Sequence, residues 1–445
     1  MITASILYNC IECPQRVAND ACCDVSKRDE ISPFVRMLWE RGTLFERETV
    51  ANLRQSFVDL SEVSEPDRER LTLLAMANGE PLIYGGSIRS GHLFGEPDLI
   101  RKELDGYVPG DIKSGRGREG GDERHEGRLK RNYGVQLALY VEILEDLGFS
   151  GGRRAFVLDI RGDQIAYDFE ELPGSDLWRE YEKALAEVRS IIARETVPRA
   201  AYSSVCKLCH WYTFYSRELS AADDLTLIPF LRRSDRDIMS DRIPTIADFA
   251  SIDPEEFVKG RKTTFSGIGA ERFRLLQARA AMLKAPSPRP YLRQPINLGS
   301  FSSELFFDIE VDPRRDVCYL HGFVERKNGD NDTEQYVAFF ADEASPVAER
   351  AFAAAFGYLT SRSCAGIYYY SKYERTIYRK LQQKYPEVCT GDDIEHLFDP
   401  ERAVDLYGDV LLKATEWPTR DHSIKTLAKY LGFVGGLRTL PALFR

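Results

Sequence analysis

Two short stretches carry the residues best suited to chemistry. Gly95-Glu96-Pro97-Asp98-Leu99-Ile100 places a carboxylate beside an apolar pair, and Pro109-Gly110-Asp111-Ile112-Lys113-Ser114-Gly115 follows a hairpin's length later. Side chains alternate faces along a strand. Asp111 and Lys113 therefore point the same way, while Ile112 turns into the core. Two carboxylates hold a divalent cation, and a lysine beside them positions water or a phosphate. A lone Asp-x-Lys triplet is usually a solvated strand edge, so the surrounding elements decide its meaning. Glu46 is a third acid in the set. Clustered carboxylates repel by about 4 kcal/mol per close pair at an effective dielectric near 20. A purely structural role gains nothing from that cost, and a bound cation removes it.

These residues need a strand hairpin between helices. Ser32-Pro33 opens a helical pattern that runs to about Gln55 and holds Arg41-Gly42-Thr43-Leu44-Phe45-Glu46. Downstream, Gln136 and Tyr140 are four apart, hence stacked on one helix face. Taken in order, these elements resemble the core of the PD-(D/E)XK nuclease superfamily, and their surroundings resemble its RecB-like branch. That branch often carries Arg-Gly-Thr-x-x-His, and here Glu46 stands in the histidine's place. The resemblance implies Mg²⁺ or Mn²⁺ held by Glu46, Asp98 and Asp111. Lys113 orients the attacking water, and Gln136 and Tyr140 sit beside the metal. The Gly-rich charged stretch after the catalytic strand, with Arg116, Arg118, Arg124, Arg128, Lys130 and Arg131, reads as a loop that can grip substrate phosphates. Interspersed acids make a solvated mixed-sign loop the competing reading.

Cys10 and Cys13 form one Cys-x-x-Cys pair, and Cys206 and Cys209 form another. Several RecB-like nucleases, including CRISPR adaptation nucleases, pair one N-terminal cysteine with three C-terminal ones around a [4Fe-4S] cluster. The family's last cysteine falls where this chain has Phe214 and Tyr215. Cys10 or His210 is a substitute ligand. Two such pairs equally suit structural zinc, and cysteines without any metal are the third alternative.

Further on, Thr245 begins a helical pattern, and Gly267-Ile268-Gly269 precedes another from Glu271 to Leu283. This resembles a helix-hairpin-helix module, in which Gly267 and Gly269 bare backbone N–H groups toward a DNA phosphate. A packing spacer is the alternative. Lys284 to Pro290 is proline-rich and reads as a semi-extended linker. Then Phe306-Phe307-Asp308-Ile309-Glu310 ends an apolar strand in Asp-x-Glu. It resembles the first motif of RNase H-like 3′–5′ exonucleases of the DEDD type, particularly the YprB-like group. The stretch Ile367 to Glu374 resembles the second motif, with Glu374 near its acidic position, Val404-Asp405-Leu406 the third, and His422 to Ala428 the helix start that follows. The resemblance implies a two-metal site on Asp308, Glu310 and Asp405. No Asp or Glu follows Asp421, so a last family carboxylate is missing and the domain reads as truncated at its C-terminus.

At 445 residues and 43% hydrophobic composition the chain has ample material for several cores. It contains no run of about 18 apolar residues, so no membrane span is expected. Met1 to Cys10 lacks a secretory pattern, which points to the cytoplasm and to reduced thiols among the nine cysteines. The net charge of −10 argues against a broad nucleic-acid surface while allowing a local one. The expectation is an α/β multidomain protein: a RecB-like PD-(D/E)XK domain over 1–220 (a mixed sheet with flanking helices), a helix-hairpin-helix-like connector over 221–285, and an RNase H-like domain over 295–445. Its expected activity is metal-dependent hydrolysis of DNA phosphodiesters. Unwinding, as no helicase motif is present, falls to a separate helicase or a repair or defence partner. Two alternatives stand beside it: a non-catalytic nucleic-acid-binding scaffold, and 3′–5′ exonuclease activity from the C-terminal domain.

Overall fold

The structure, a computed structural model, describes residues 1–120, 127–170, 176–312, 317–341 and 347–433. Arg124 and the segment after Phe433 lie outside them. The chain forms two compact units, Met1–Leu219 and Ser220–Arg445, both mixed α/β.

The first unit opens with α1 (Ala4–Glu12), α2 (Pro14–Cys22) and α3 (Pro33–Ala51). Ser32 caps α3 by accepting from the Val35 N–H, and Pro33 takes the first helical position. The helix stops at Ala51, short of Gln55, because the Asn52 N–H turns back to the carbonyls of Glu48, Thr49 and Val50. Next come β1 (Val58–Asp59), α4 (Glu65–Asn78), β2 (Leu82–Tyr84), β3 (Leu99–Glu103) and β4 (Gly106–Ile112). They are followed by α5 (Arg131–Asp146), β5 (Arg154–Leu158), β6 (Gln164–Asp168), α6 (Leu177–Ile192) and α7 (Tyr212–Ala221).

The six strands lie side by side in chain order. β1 and β2 run parallel, as do β4 and β5, while the other neighbours are antiparallel. Parallel neighbours require a crossover, and α4 and α5 supply the two that this sheet needs. Buried Leu7, Val135, Leu139, Val157, Tyr181 and Val188 join α1, α5 and α6 to the sheet in one core. On the other face, Ile112 at the end of β4 packs in a second cluster with Val50, Tyr84, Leu99 and Phe156.

The second unit begins with α8 (Arg233–Met239), α9 (Ile246–Ser251) and α10 (Ala270–Lys284). Phe249, Phe257, Phe265 and Phe273 pack ring against ring between them. The remaining elements are β7 (Ser303–Asp312), β8 (Val317–Lys327), β9 (Asp330–Phe340), α11 (Val347–Thr360), β10 (Gly366–Tyr369), α12 (Tyr373–Lys384), α13 (Gly391–Leu397), β11 (Ala403–Asp405) and α14 (Ile424–Tyr430). The strands form a five-stranded sheet in the order β9-β8-β7-β10-β11. β7, β8 and β9 make an antiparallel meander, and β10 and β11 add in parallel on the other edge of β7. A buried ion pair ties α10 to residues beyond the sheet: Arg279 donates to both carboxylate oxygens of Glu416, at 2.8 and 3.0 Å.

Candidate active site

Asp98 holds the backbone just after Asp111, and Asp111 approaches the backbone of Asp98. The Ile112 N–H donates to Asp98 Oδ2 at 2.6 Å, and the Asp98 N–H lies 3.5 Å from Asp111 Oδ1. Two glycines let the surrounding side chains close in. A Cβ on Gly110 would stand 2.3 Å from the Phe156 ring, and one on Gly95 would stand 2.5 Å from the Tyr140 ring. The Lys113 N–H is anchored on the Leu158 carbonyl at 2.9 Å, which leaves its ammonium 2.9 Å from Asp111 Oδ2. That contact is an ion pair rather than a hydrogen bond, since Asp111 Oδ2 is buried without an aligned donor. Asp111 is only 1% exposed.

The electrostatics follow from crowding in a place with little water. Burial first, and Asp111 second, push the Asp98 carboxyl well above its usual range, with Lys113 opposing and Glu46 adding to the shift. Burial works against the Lys113 ammonium, but Asp111 and Asp98 outweigh it and hold its pKa above that of a free lysine. Glu46 reaches the same neighbourhood from α3, where its Oε1 accepts from the Tyr84 hydroxyl at 2.9 Å. From α5, Gln136 donates to the Tyr140 hydroxyl at 3.1 Å, and that hydroxyl donates to the Glu96 carbonyl at 3.3 Å. This fixes α5 against the turn that carries Asp98. Glu46, Asp98, Asp111, Lys113, Gln136 and Tyr140 are thus gathered at one end of the sheet.

The donors fit a hard cation in kind: three carboxylates, with burial and neighbouring acids raising the affinity of Asp98 for positive charge and one oxygen of Asp111 buried without a hydrogen bond. They are not preorganised around one. Among the described residues, no group of three or more His, Cys, Asp or Glu side chains is set to hold a metal ion. Tyr84, Lys113 and the Ile112 N–H take the oxygens instead.

The basic residues of the following loop are dispersed. Arg116 is exposed, Arg118 donates to the Gly127 carbonyl, and Lys130 lies over the Tyr133 ring at 4.7 Å. Arg131 pairs with Glu180 at 2.7 Å. In the second unit, Gly267 takes φ +79° and Gly269 caps α10. Thr263 closes that turn by donating to the Ile268 carbonyl.

The thiols divide. Cys10 is buried in the core with Leu7 and Val17. Cys13 sits where α1 ends and α2 begins. Cys206 and Cys209 sit on a short turn, with the Cys209 N–H donating to the Cys206 carbonyl at 3.0 Å. Cys13, Cys206 and Cys209 lie within electrostatic reach of one another and of Tyr215. His210 is engaged elsewhere, its Nε2 2.7 Å from Asp20 Oδ1.

A second acidic group lies on the other sheet. Asp308 and Glu310 are both exposed and alternate with buried Phe307 and Ile309 on β7. Burial raises the Asp308 carboxyl. Burial and then Asp308 raise Glu310, against which Lys425 works. Glu374, at the start of α12, is 3% exposed. Burial, Asp308 and Asp405 push its pKa up to about 8. Its Oε2 is buried without a hydrogen-bond partner. Asp405 has a local task as well: its Oδ1 accepts from the N–H groups of Ser371, Tyr407 and Gly408. These carboxylates, short of positive charge and with one orphaned oxygen, suit divalent cations. Nothing in the sequence marked Lys425, on the first turn of α14, as the cation that offsets Glu310.

A family model described as RNase_H superfamily matches residues 305–443. No curated protein matches the chain. The matched span contains all of the five-stranded sheet except the first two residues of β7, and it gives this part of the chain an RNase H-like fold. That fold is typically a nuclease's, so the match supports a nucleic-acid hydrolase in this coarse sense only. Among the described residues, no helix is long and apolar enough to cross a membrane.

Proposed function

We propose that the chain is a RecB-like, metal-dependent DNA nuclease whose working centre is Asp98, Asp111 and Lys113. The observation that carries the reading is the convergence of a carboxylate pair bound to neighbouring backbone, a lysine counter-charge and Glu46 at one end of one sheet. A bound Mg²⁺ or Mn²⁺ would supply Lewis-acid polarisation and water activation. Asp98, Asp111 and Glu46 are the residues that would hold it. Lys113 keeps its proton and presents a fixed positive charge where negative charge grows on a phosphate. Tyr140 and Gln136 hold the Glu96–Asp98 turn in place. Arg116, Arg118, Lys130 and Arg131 follow the catalytic strand in sequence and, once released from their local contacts, would lend positive charge toward a nucleic-acid backbone. Gly267 and Gly269 offer a further phosphate contact.

A second reading is favoured by Glu374. Its orphaned, proton-retaining carboxyl beside Asp308 and Asp405 suits a cation site on the RNase H-like sheet, with Glu310 as the outer acid. In that reading 3′–5′ end cleavage comes from the second unit.

The test is incubation of the full chain with end-labelled single- and double-stranded DNA, with and without Mg²⁺ or Mn²⁺. Metal-dependent shortening of the label is expected. DNA binding without cleavage under every cation would replace the nuclease reading with that of a binding scaffold.

A further inference from the structure

α3 is held to the first unit's sheet at one end only. Val50, in its last turn, is its one buried residue, and Phe45 packs beside it against the cluster of Tyr84, Leu99 and Ile112. The N-terminal half has no such cover: Phe34 is 52% exposed and Trp39 58%. The chain's other tryptophans are buried or half-buried. A single exposed apolar side chain is ordinary, so the place of Trp39 decides its meaning. Val35, Trp39, Gly42 and Glu46 recur at helical spacing and form one stripe along α3. Glu46 ends that stripe at the carboxylate site, where it accepts from Tyr84. Gly42 lies beside the turn after Lys113, where an added Cβ would stand 3.9 Å from Ser114 Oγ. Trp39 comes next, two helical turns and about 10 Å from Glu46. Arg36 and Arg47 border the stripe on one side, and Arg41 shares the neighbouring stripe with Phe34. Glu40 and Glu48 lie on the same helix, yet among the described residues no carboxylate forms an ion pair with any of the three arginines. In a chain of net charge −10, an uncovered aromatic between unpaired guanidiniums suits a polyanion that also offers flat apolar faces.

We infer that Trp39 is a base-stacking platform for a single-stranded nucleic acid, which runs along α3 toward the carboxylate site. An unpaired base can lay its π-face on the indole, whereas the bases of a duplex are already stacked on one another; the platform therefore selects single strands and frayed ends. At the 3.4 Å spacing of phosphates along one strand, Trp39 sits about three nucleotides from a phosphate at Glu46. Arg36 and Arg41 take backbone phosphates near the stacked base, and Gly42 keeps the gap beside Ser114 open between platform and site. The inference rests on the reading above in taking nucleic acid as the ligand, and adds which form of it binds and where.

The test uses the full chain in EDTA, so that binding is read without cleavage. The probes are a labelled oligo(dT) of about 12 nucleotides, within the site sizes of single-strand binders, and the same strand annealed to oligo(dA). Trp39→Ala should weaken binding of the single strand about 10-fold, the effect of losing one stacked base, and leave duplex binding unchanged. Trp39→Phe should keep most of the affinity, since a phenyl ring still stacks. Unlabelled oligo(dT) should quench the tryptophan emission of wild type and not that of Trp39→Phe. The double variant Arg36→Ala, Arg41→Ala should lower the slope of log affinity against log salt by about 1.4, which is 0.7 for each phosphate released. The melting temperature of Trp39→Ala should equal that of wild type, because the ring is exposed. Four results overturn the proposal: no binding of oligo(dT) by wild type, undiminished binding by Trp39→Ala, an equal loss on both probes, or a Trp39→Ala protein that melts lower or loses a dimer seen in wild type, which would give this face to the fold or to a second copy. Cleavage in Mn²⁺ separates this proposal from the nuclease reading. Single-strand binding through Trp39 in a chain that cleaves nothing keeps the platform and removes the nuclease, and cleavage of single strands untouched by Trp39→Ala does the reverse.

Discussion

Glu374 makes the stability of the second unit depend on pH in a direction opposite to that of an ordinary salt-bridged acid. Its folded pKa is raised to about 8 from an ordinary 4.5. The folded state therefore keeps a proton that the unfolded chain gives up, and stability is greatest below the unfolded pKa and is lost as pH rises toward 8. Between pH 6 and 8 the unfolded glutamate is fully ionised, while the folded one reaches half ionisation only at the top of the window. The loss over that window is about 2 kcal/mol at 1.4 kcal/mol per pKa unit. For a unit of this size that is a fall in Tm of about 4–8 °C. The variant Glu374→Gln keeps the shape of the side chain and abolishes its titration. Thermal melts in EDTA, which removes any cation that would take over the carboxylate, should show the wild-type Tm falling from pH 6 to 8 and the variant nearly level. A level wild-type curve, or an equal slope in both proteins, would refute the assignment of a buried, proton-retaining carboxyl.

Three further outcomes follow from packing and charge. Gly110→Ala drives a Cβ to within 2.3 Å of the Phe156 ring and should cost about 1–3 kcal/mol in urea unfolding, with DNA cleavage falling as Asp111 is displaced. Glu416→Gln strands the guanidinium of Arg279, a residue only 6% exposed. It should destabilise the second unit by about 3–5 kcal/mol in denaturant melts. Tyr84→Phe removes the donor to Glu46 Oε1 and should leave the fold within about 1 kcal/mol of wild type while changing the Mn²⁺ concentration that half-saturates cleavage. An unchanged metal dependence would separate Glu46 from the cation.

The local parts of this picture were readable along the chain. The alternation around Ile112, the helical spacing of Gln136 and Tyr140, and the cap at Ser32 are set by neighbours within a few residues. The Asp308–Glu310 alternation is of the same kind. What escaped depends on residues far apart in sequence. The engagement of Glu46 by Tyr84, the depth at which Glu374 is buried and the position of Lys425 opposite Glu310 all follow from how strands and helices stack, and no local pattern encodes that. The α3 boundary moved because the Asn52 turn ends the helix before its apolar pattern fades.

The most direct measurement of the central claim is the rate at which wild type, Asp111→Asn and Asp308→Asn shorten the same end-labelled DNA in Mn²⁺, with DNA affinity measured alongside. The account predicts that Asp111→Asn lowers the rate by at least about 100-fold, a loss of roughly 3 kcal/mol in transition-state stabilisation, while binding persists and Asp308→Asn retains most of the activity. Full cleavage by Asp111→Asn together with loss in Asp308→Asn would contradict it and move the active centre to the RNase H-like sheet.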